Sequence, residues 1–144
     1  MARVKKSAET SPEFAKSIKK WLGIERATIS ITKKMLQKVE NPIVAAMMDT
    51  ILRDSEKHKE ILGLIMEGLE GVTILTREDM GLLSEYIEKH AETEKSIVEM
   101  AEQTLKNVRN PIPKFLLEYL LVDEKKHDMI MDGLAVLRSK MPSS

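Results

Sequence analysis

The sequence predicts an all-α fold, a four-helix bundle built from two repeated helical hairpins. Three observations predict it. Apolar residues recur at steps of three and four along four long segments. Asparagine, serine, threonine and proline mark where those segments begin. The second half of the chain copies the first at a constant spacing of 69 residues.

The segments run over about 12–40, 42–68, 77–109 and 111–139. Ser11-Pro12-Glu13 offers a capping hydroxyl, a proline at the first helical position and an early acid. Asn41-Pro42 and Asn110-Pro111 repeat the signal with an asparagine cap, and Thr76 with Asp79 forms a capping-box variant. Inside the segments the seams are Ile18, Leu22, Ile29, Leu36, Val39; Val44, Met47, Ile51, Leu62, Ile65; Leu83, Ile87, Ile97, Val108; and Leu117, Leu120, Met131, Leu134. That is the packing pattern of a helical bundle. No β-strand alternation is sustained. The chain reads as one domain over 1–144, with hairpins at about 11–69 and 77–140.

The seams carry polar residues at one level only, near mid-helix: Glu25, Ser55, His58, His90, Glu94, Glu124 and His127. An unpaired charge in a bundle core costs several kcal/mol, so polar residues gathered at one level imply a shared partner. The repeat sharpens this. Glu25 maps to Glu94, Asn41-Pro42-Ile43 to Asn110-Pro111-Ile112, Asp54 to Asp123, Lys57 to Lys126 and His58 to His127. Each half is thus a hairpin with one mid-helix Glu followed by an Asp-x-x-x-His stretch, and the repeat predicts a pseudo-twofold relation between them.

Composition narrows the chemistry. Lys+Arg and Asp+Glu are both 23, so nothing in the charge balance favours nucleic acid or an anionic membrane. No apolar run approaches a membrane span and no signal-peptide core follows the start, so a cytoplasmic protein is expected. There is no cysteine, which excludes disulfides, thiol catalysis, thiolate zinc sites and iron–sulfur ligation. Metal chemistry would have to use Glu, Asp and His. The ten methionines read as core filler, and Trp21, Tyr86 and Tyr119 as packing or rim residues.

Two hairpins that each bring a Glu and then an acid-and-His pair to one level resemble the ferritin-like di-iron carboxylate family, including its rubrerythrin-like and erythrin-type branches. The resemblance covers nearly the whole chain. It implies two metal ions per site, iron foremost, with manganese or zinc as alternatives. Carried over by resemblance, Glu25, Glu94 and Glu124 would be carboxylate ligands, and His58 and His127 would each hold one metal. Asp54 and Asp123 would orient the histidine of the opposite half, Asp123 that of His58 and Asp54 that of His127. The departure is Ser55, which stands where the second half has Glu124. His90, one turn from Glu94, and Glu56, beside Ser55, are further candidates to complete the set.

In ferritin-like bundles the second and third helices run parallel, so their link must travel the bundle's length. Here it is about 70–76. Extended, it reaches roughly 25 Å, whereas the crossing needs about 40 Å at the helical rise per residue. Unwound helix ends would close the gap, and so would hairpins exchanged between chains; a homodimer, domain-swapped or not, is the expectation, beside a simple up-down-up-down arrangement. The implied activity is oxidation of ferrous iron, or reduction of peroxide or dioxygen with electrons from an external donor. Two other readings stand beside it: a metal-binding or storage protein with a degenerate site and no turnover, which Ser55 favours, and a structural helical module.

Overall fold

In a computed structural model, the described residues 11–69 and 75–140 form four α-helices. They are α1 (Pro12–Leu36), α2 (Pro42–Leu69), α3 (Arg77–Leu105) and α4 (Pro111–Lys140). Helix α1 packs on α2 and α3 on α4. The chain divides after residue 74 into two compact units, each one helical hairpin. The all-α class and the number and order of the helices are those the sequence predicts. Most of the link at 70–76, and the basic MARVKK start, lie outside the described residues.

The starts are set by the residues expected to set them. Ser11 Oγ accepts from the Phe14 N–H at 3.1 Å, with Pro12 at the first helical position, where its missing N–H leaves no bond unmade. Thr76 and Asp79 exchange both bonds of a capping box, at 2.8 and 3.1 Å. The Thr76 backbone N–H, more than its hydroxyl, holds the Asp79 carboxyl below its ordinary range. Asn41 Oδ1 accepts from the N–H groups of Ile43 and Val44 at 2.9 and 3.2 Å. Asn110 Oδ1 accepts from Ile112 N–H at 3.1 Å, so the repeat is one of geometry as well as letters.

Both hairpin turns begin four residues earlier than the periodicity predicts: α1 ends at Leu36 instead of about 40, and α3 at Leu105 instead of about 109. The caps explain this. A residue before proline is pushed toward extended backbone, and Asn41 and Asn110 must leave the helix to cap the next one. The chain tightens into short turns first, with Lys38 N–H bonded to Met35 O and Val108 N–H to Leu105 O.

Two helices cover little apolar surface, and the cores are correspondingly thin. In the first unit Ile18 and Leu62 are buried, together with Glu25, Thr32 and Ser55; in the second Met131 is buried. The second unit has a cross-helix clamp: Lys95 Nζ lies 3.1 Å from Asp128 and 3.6 Å from Asp132, and Lys125 pairs with Glu102 at 3.5 Å. Asp128 chiefly holds the Lys95 ammonium above its ordinary range. The repeat mates of Lys95 and Asp128 are Arg26 and Lys59, of like charge, so the first unit lacks this clamp.

Replacing Asn110 with alanine removes the cap of α4 and is expected to destabilise the protein by about 1 kcal/mol. Thermal unfolding monitored by circular dichroism should show a midpoint lower by about 2–4 °C.

Candidate metal centre

The mid-helix Glu of each hairpin points at the histidine of the same hairpin, in both units and through the same atoms. In the first unit His58 Nδ1 lies 2.8 Å from Glu25 Oε2. The carboxylate only accepts, so the imidazole N–H donates. Glu25 is buried, its side chain 9% exposed, and this bond satisfies it. Ser55 beside it is also buried. The expected substitute Glu56 does not join them: it is exposed and lies 4.0 Å from Lys33. The first unit therefore holds a closed Glu–His pair.

The second unit differs because Glu124 stands in place of the serine. His127 Nδ1 now has two carboxylates before it, Glu94 Oε2 at 3.7 Å and Glu124 Oε2 at 3.5 Å. Neither distance is a hydrogen bond. Glu94 Oε2 is buried and has no hydrogen-bond partner among the described residues. One donor atom from each of Glu94, Glu124 and His127 lies within 4.8 Å of the others. On the far side of the ring, His127 Nε2 lies 3.6 Å from Asp123 Oδ2, and the other oxygen of Asp123 pairs with Lys126 at 2.9 Å. The partners expected for Asp54 and Asp123 belong to opposite units. Inside its own unit Asp123 flanks the histidine four residues on, where it can fix the ring so that Nδ1 faces the carboxylates.

The electrostatics follow from burial. Removing Glu94 from water raises its carboxyl above the ordinary range, and the neighbouring Glu124 carboxyl raises it further; His127 opposes this. A group that prefers its proton, an orphaned buried oxygen and two carboxylates converging on one imidazole nitrogen are what a cation would reconcile. The donor set suits one. Carboxylate and imidazole together take divalent iron, manganese or zinc. With metal–ligand bonds of about 2.0–2.1 Å, neighbouring donors of a tetrahedral site stand about 3.3 Å apart. The separations of 3.5 and 3.7 Å are close to that edge.

His90 lies outside the group. It is exposed and stacks on Tyr86, ring centroids 4.5 Å apart. Tyr86 is the residue that periodicity misses. It lines a cavity of about 250 Å³ with Glu94, His127, Ile130 and Met131, beside the metal group. Its place two helical turns before Glu94 is the signal that could have found it. No protein-family model matches the chain, and no curated protein or solved structure is detectably similar to it.

The raised Glu94 carboxyl sets a pH dependence. Its contribution to metal-free stability is fully present below the ordinary glutamate value of 4.5 and is lost as pH rises through the raised folded value. Metal-free Glu94→Gln is therefore expected to unfold at higher temperature than the parent at pH 7. The difference should shrink to nothing below pH about 4.5, as read by calorimetry in the presence of chelator.

Proposed function

We infer that this chain is a divalent-metal-binding protein of ferritin-like type, with its principal site at Glu94, Glu124 and His127. One observation carries the reading: two carboxylate oxygens converge on His127 Nδ1 outside hydrogen-bond distance, one of them buried without a partner. Asp123 lies on the other side of the imidazole, 3.6 Å from Nε2, where its charge favours a proton on that nitrogen and leaves Nδ1 to the metal. The metal supplies Lewis acidity and, if it is iron, one-electron redox chemistry. The chain's own residues hold it, and the two carboxylates balance its charge. The cavity lined by Tyr86 and Ile130 gives a small reactant an approach to the group.

The activity that fits this site is oxidation of ferrous iron, or reduction of peroxide or dioxygen, with an external donor closing the redox cycle in the cytoplasm. No described helix is long and apolar enough to cross a membrane. A second reading, metal binding without turnover, is favoured by the closed Glu25–His58 pair, which leaves the repeat with one open carboxylate group instead of two.

Metal binding at a concentration 100-fold above its dissociation constant stabilises the folded state by about 2.7 kcal/mol. For a chain of this size that raises the unfolding midpoint by about 5–10 °C. The shift is expected with ferrous iron, manganese or zinc, and should vanish in His127→Ala. An unshifted midpoint in the parent protein contradicts the reading. Stopped-flow absorbance after mixing ferrous protein with dioxygen or peroxide separates turnover from binding alone. Oxidation faster than that of iron in buffer supports turnover, and an unchanged rate selects the binder.

A further inference from the structure

We propose that Met131 is a site of oxidation by peroxide, its thioether taking an oxygen from a peroxide molecule that enters the cavity beside the metal group. This rests on the metal reading above and adds a residue which that reading does not use.

The contrast between the two hairpins carries it. The cavity is lined by Tyr86, Glu94, His127, Ile130 and Met131. At the equivalent positions the first hairpin has Ser17, Glu25, His58, Ile61 and Leu62. The glutamate, histidine and isoleucine are common to both. The other two change from a serine and a leucine to a phenol and a thioether, both oxidisable, in the hairpin whose Glu–His pair is open. Leu62 and Met131 are 3% and 4% exposed, so they fill the same place in their cores. Leucine and methionine exchange at nearly constant volume. Packing is served by either, and what methionine adds is a nucleophilic sulfur.

Met131 stands four residues after His127 on α4, one turn away on the same face. It is the one buried methionine among the described residues, yet it forms a wall of a cavity of about 250 Å³. That space is far larger than the ~30 Å³ that a water molecule takes in the liquid. Two other walls, Tyr86 and Ile130, are 50% and 47% exposed, so a small oxidant can enter from their side. The step balances with peroxide as the only other reactant. The sulfur donates an electron pair to one peroxide oxygen, and the S–O bond forms as the O–O bond breaks. The departing hydroxide takes the proton of the transferred oxygen and leaves as water. Sulfur is oxidised by two electrons and peroxide is reduced by two. The product is a polar sulfoxide at a buried apolar position of this hairpin, a change that disrupts a core. Oxidation thereby loosens α3 and α4 beside His127.

The test maps oxygen incorporation by tandem mass spectrometry, after the full chain, loaded with ferrous iron, meets a small excess of hydrogen peroxide and is quenched with catalase. Met129 is the internal control. It is 67% exposed, and trypsin releases it with Met131 in one peptide, 127–138. Sulfoxide formation that follows exposure takes Met129 first. In the loaded parent, Met131 is expected to be oxidised severalfold faster than Met129, and in His127→Ala the order should return to that of exposure. The treated parent should also unfold at a lower temperature, whereas Met131→Leu, carrying the first hairpin's residue, should not. Oxygen found on Met129 while Met131 stays unmodified overturns the proposal, and so does an equal fall in midpoint in the parent and Met131→Leu. Cobalt(II), whose visible absorbance reports oxygen and nitrogen coordination, reads metal binding separately. A parent that binds cobalt but spares Met131 loses the oxidation site alone. A parent that binds no cobalt loses the metal reading itself, and the proposal with it.

Discussion

Each hairpin is organised around a glutamate that reaches a histidine on the neighbouring helix, and the rest of the molecule is arranged to tolerate that meeting. A carboxylate withdrawn from water must find a donor or a cation, or take a proton. Glu25 finds a donor in His58. Glu94 has a histidine in the corresponding place, but Glu124 approaches the same nitrogen, and neither carboxylate comes within hydrogen-bond distance of it. The outcome is a buried oxygen without a partner and a carboxyl pushed toward its protonated form.

The two hairpins thus work as an internal comparison. They share the offset, the caps and the Glu-to-Nδ1 approach, and differ at one seam position, serine or glutamate. With serine, the pair closes to 2.8 Å and becomes a structural hydrogen bond. With glutamate, it opens to 3.7 Å, and a second carboxylate stands before the same nitrogen. The flanking charges follow the same division. Lys95 and Asp128 tie α3 to α4 beside the group, where the first hairpin has Arg26 and Lys59. The open carboxylate–histidine cluster lies in the second hairpin, and the first holds a closed Glu–His pair.

Much of this was legible in the letters. Asn41, Asn110, Ser11 and Thr76 cap helices as their side chains require, and the seam spacing yields four helices in the right order. The helix ends were legible only in part, since apolar periodicity continues through Val39 and Val108 while the approaching Asn-Pro pair ends the helix. The carboxylates and histidines were legible as a set of residue types at one depth. Which carboxylates would meet which histidine was not, because spacing along a helix gives the level of a side chain and leaves open which neighbour it turns to. Asp123 illustrates this by flanking His127 on its own helix. Tyr86 was missed because it lies off the seam, although its place two turns before Glu94 on α3 puts it near the cavity they both line.

On the proposed reading, one residue, serine or glutamate, decides whether a hairpin holds a hydrogen bond or a metal. The direct measurement is cobalt stoichiometry of the parent, Ser55→Glu and Glu124→Ser side by side, each verified as folded. Ser55→Glu is predicted to bind about twice the parent's cobalt, because the first hairpin gains the missing ligand, and Glu124→Ser to bind almost none. A Ser55→Glu protein that binds no more than the parent, or a Glu124→Ser protein that binds as much, would contradict the account.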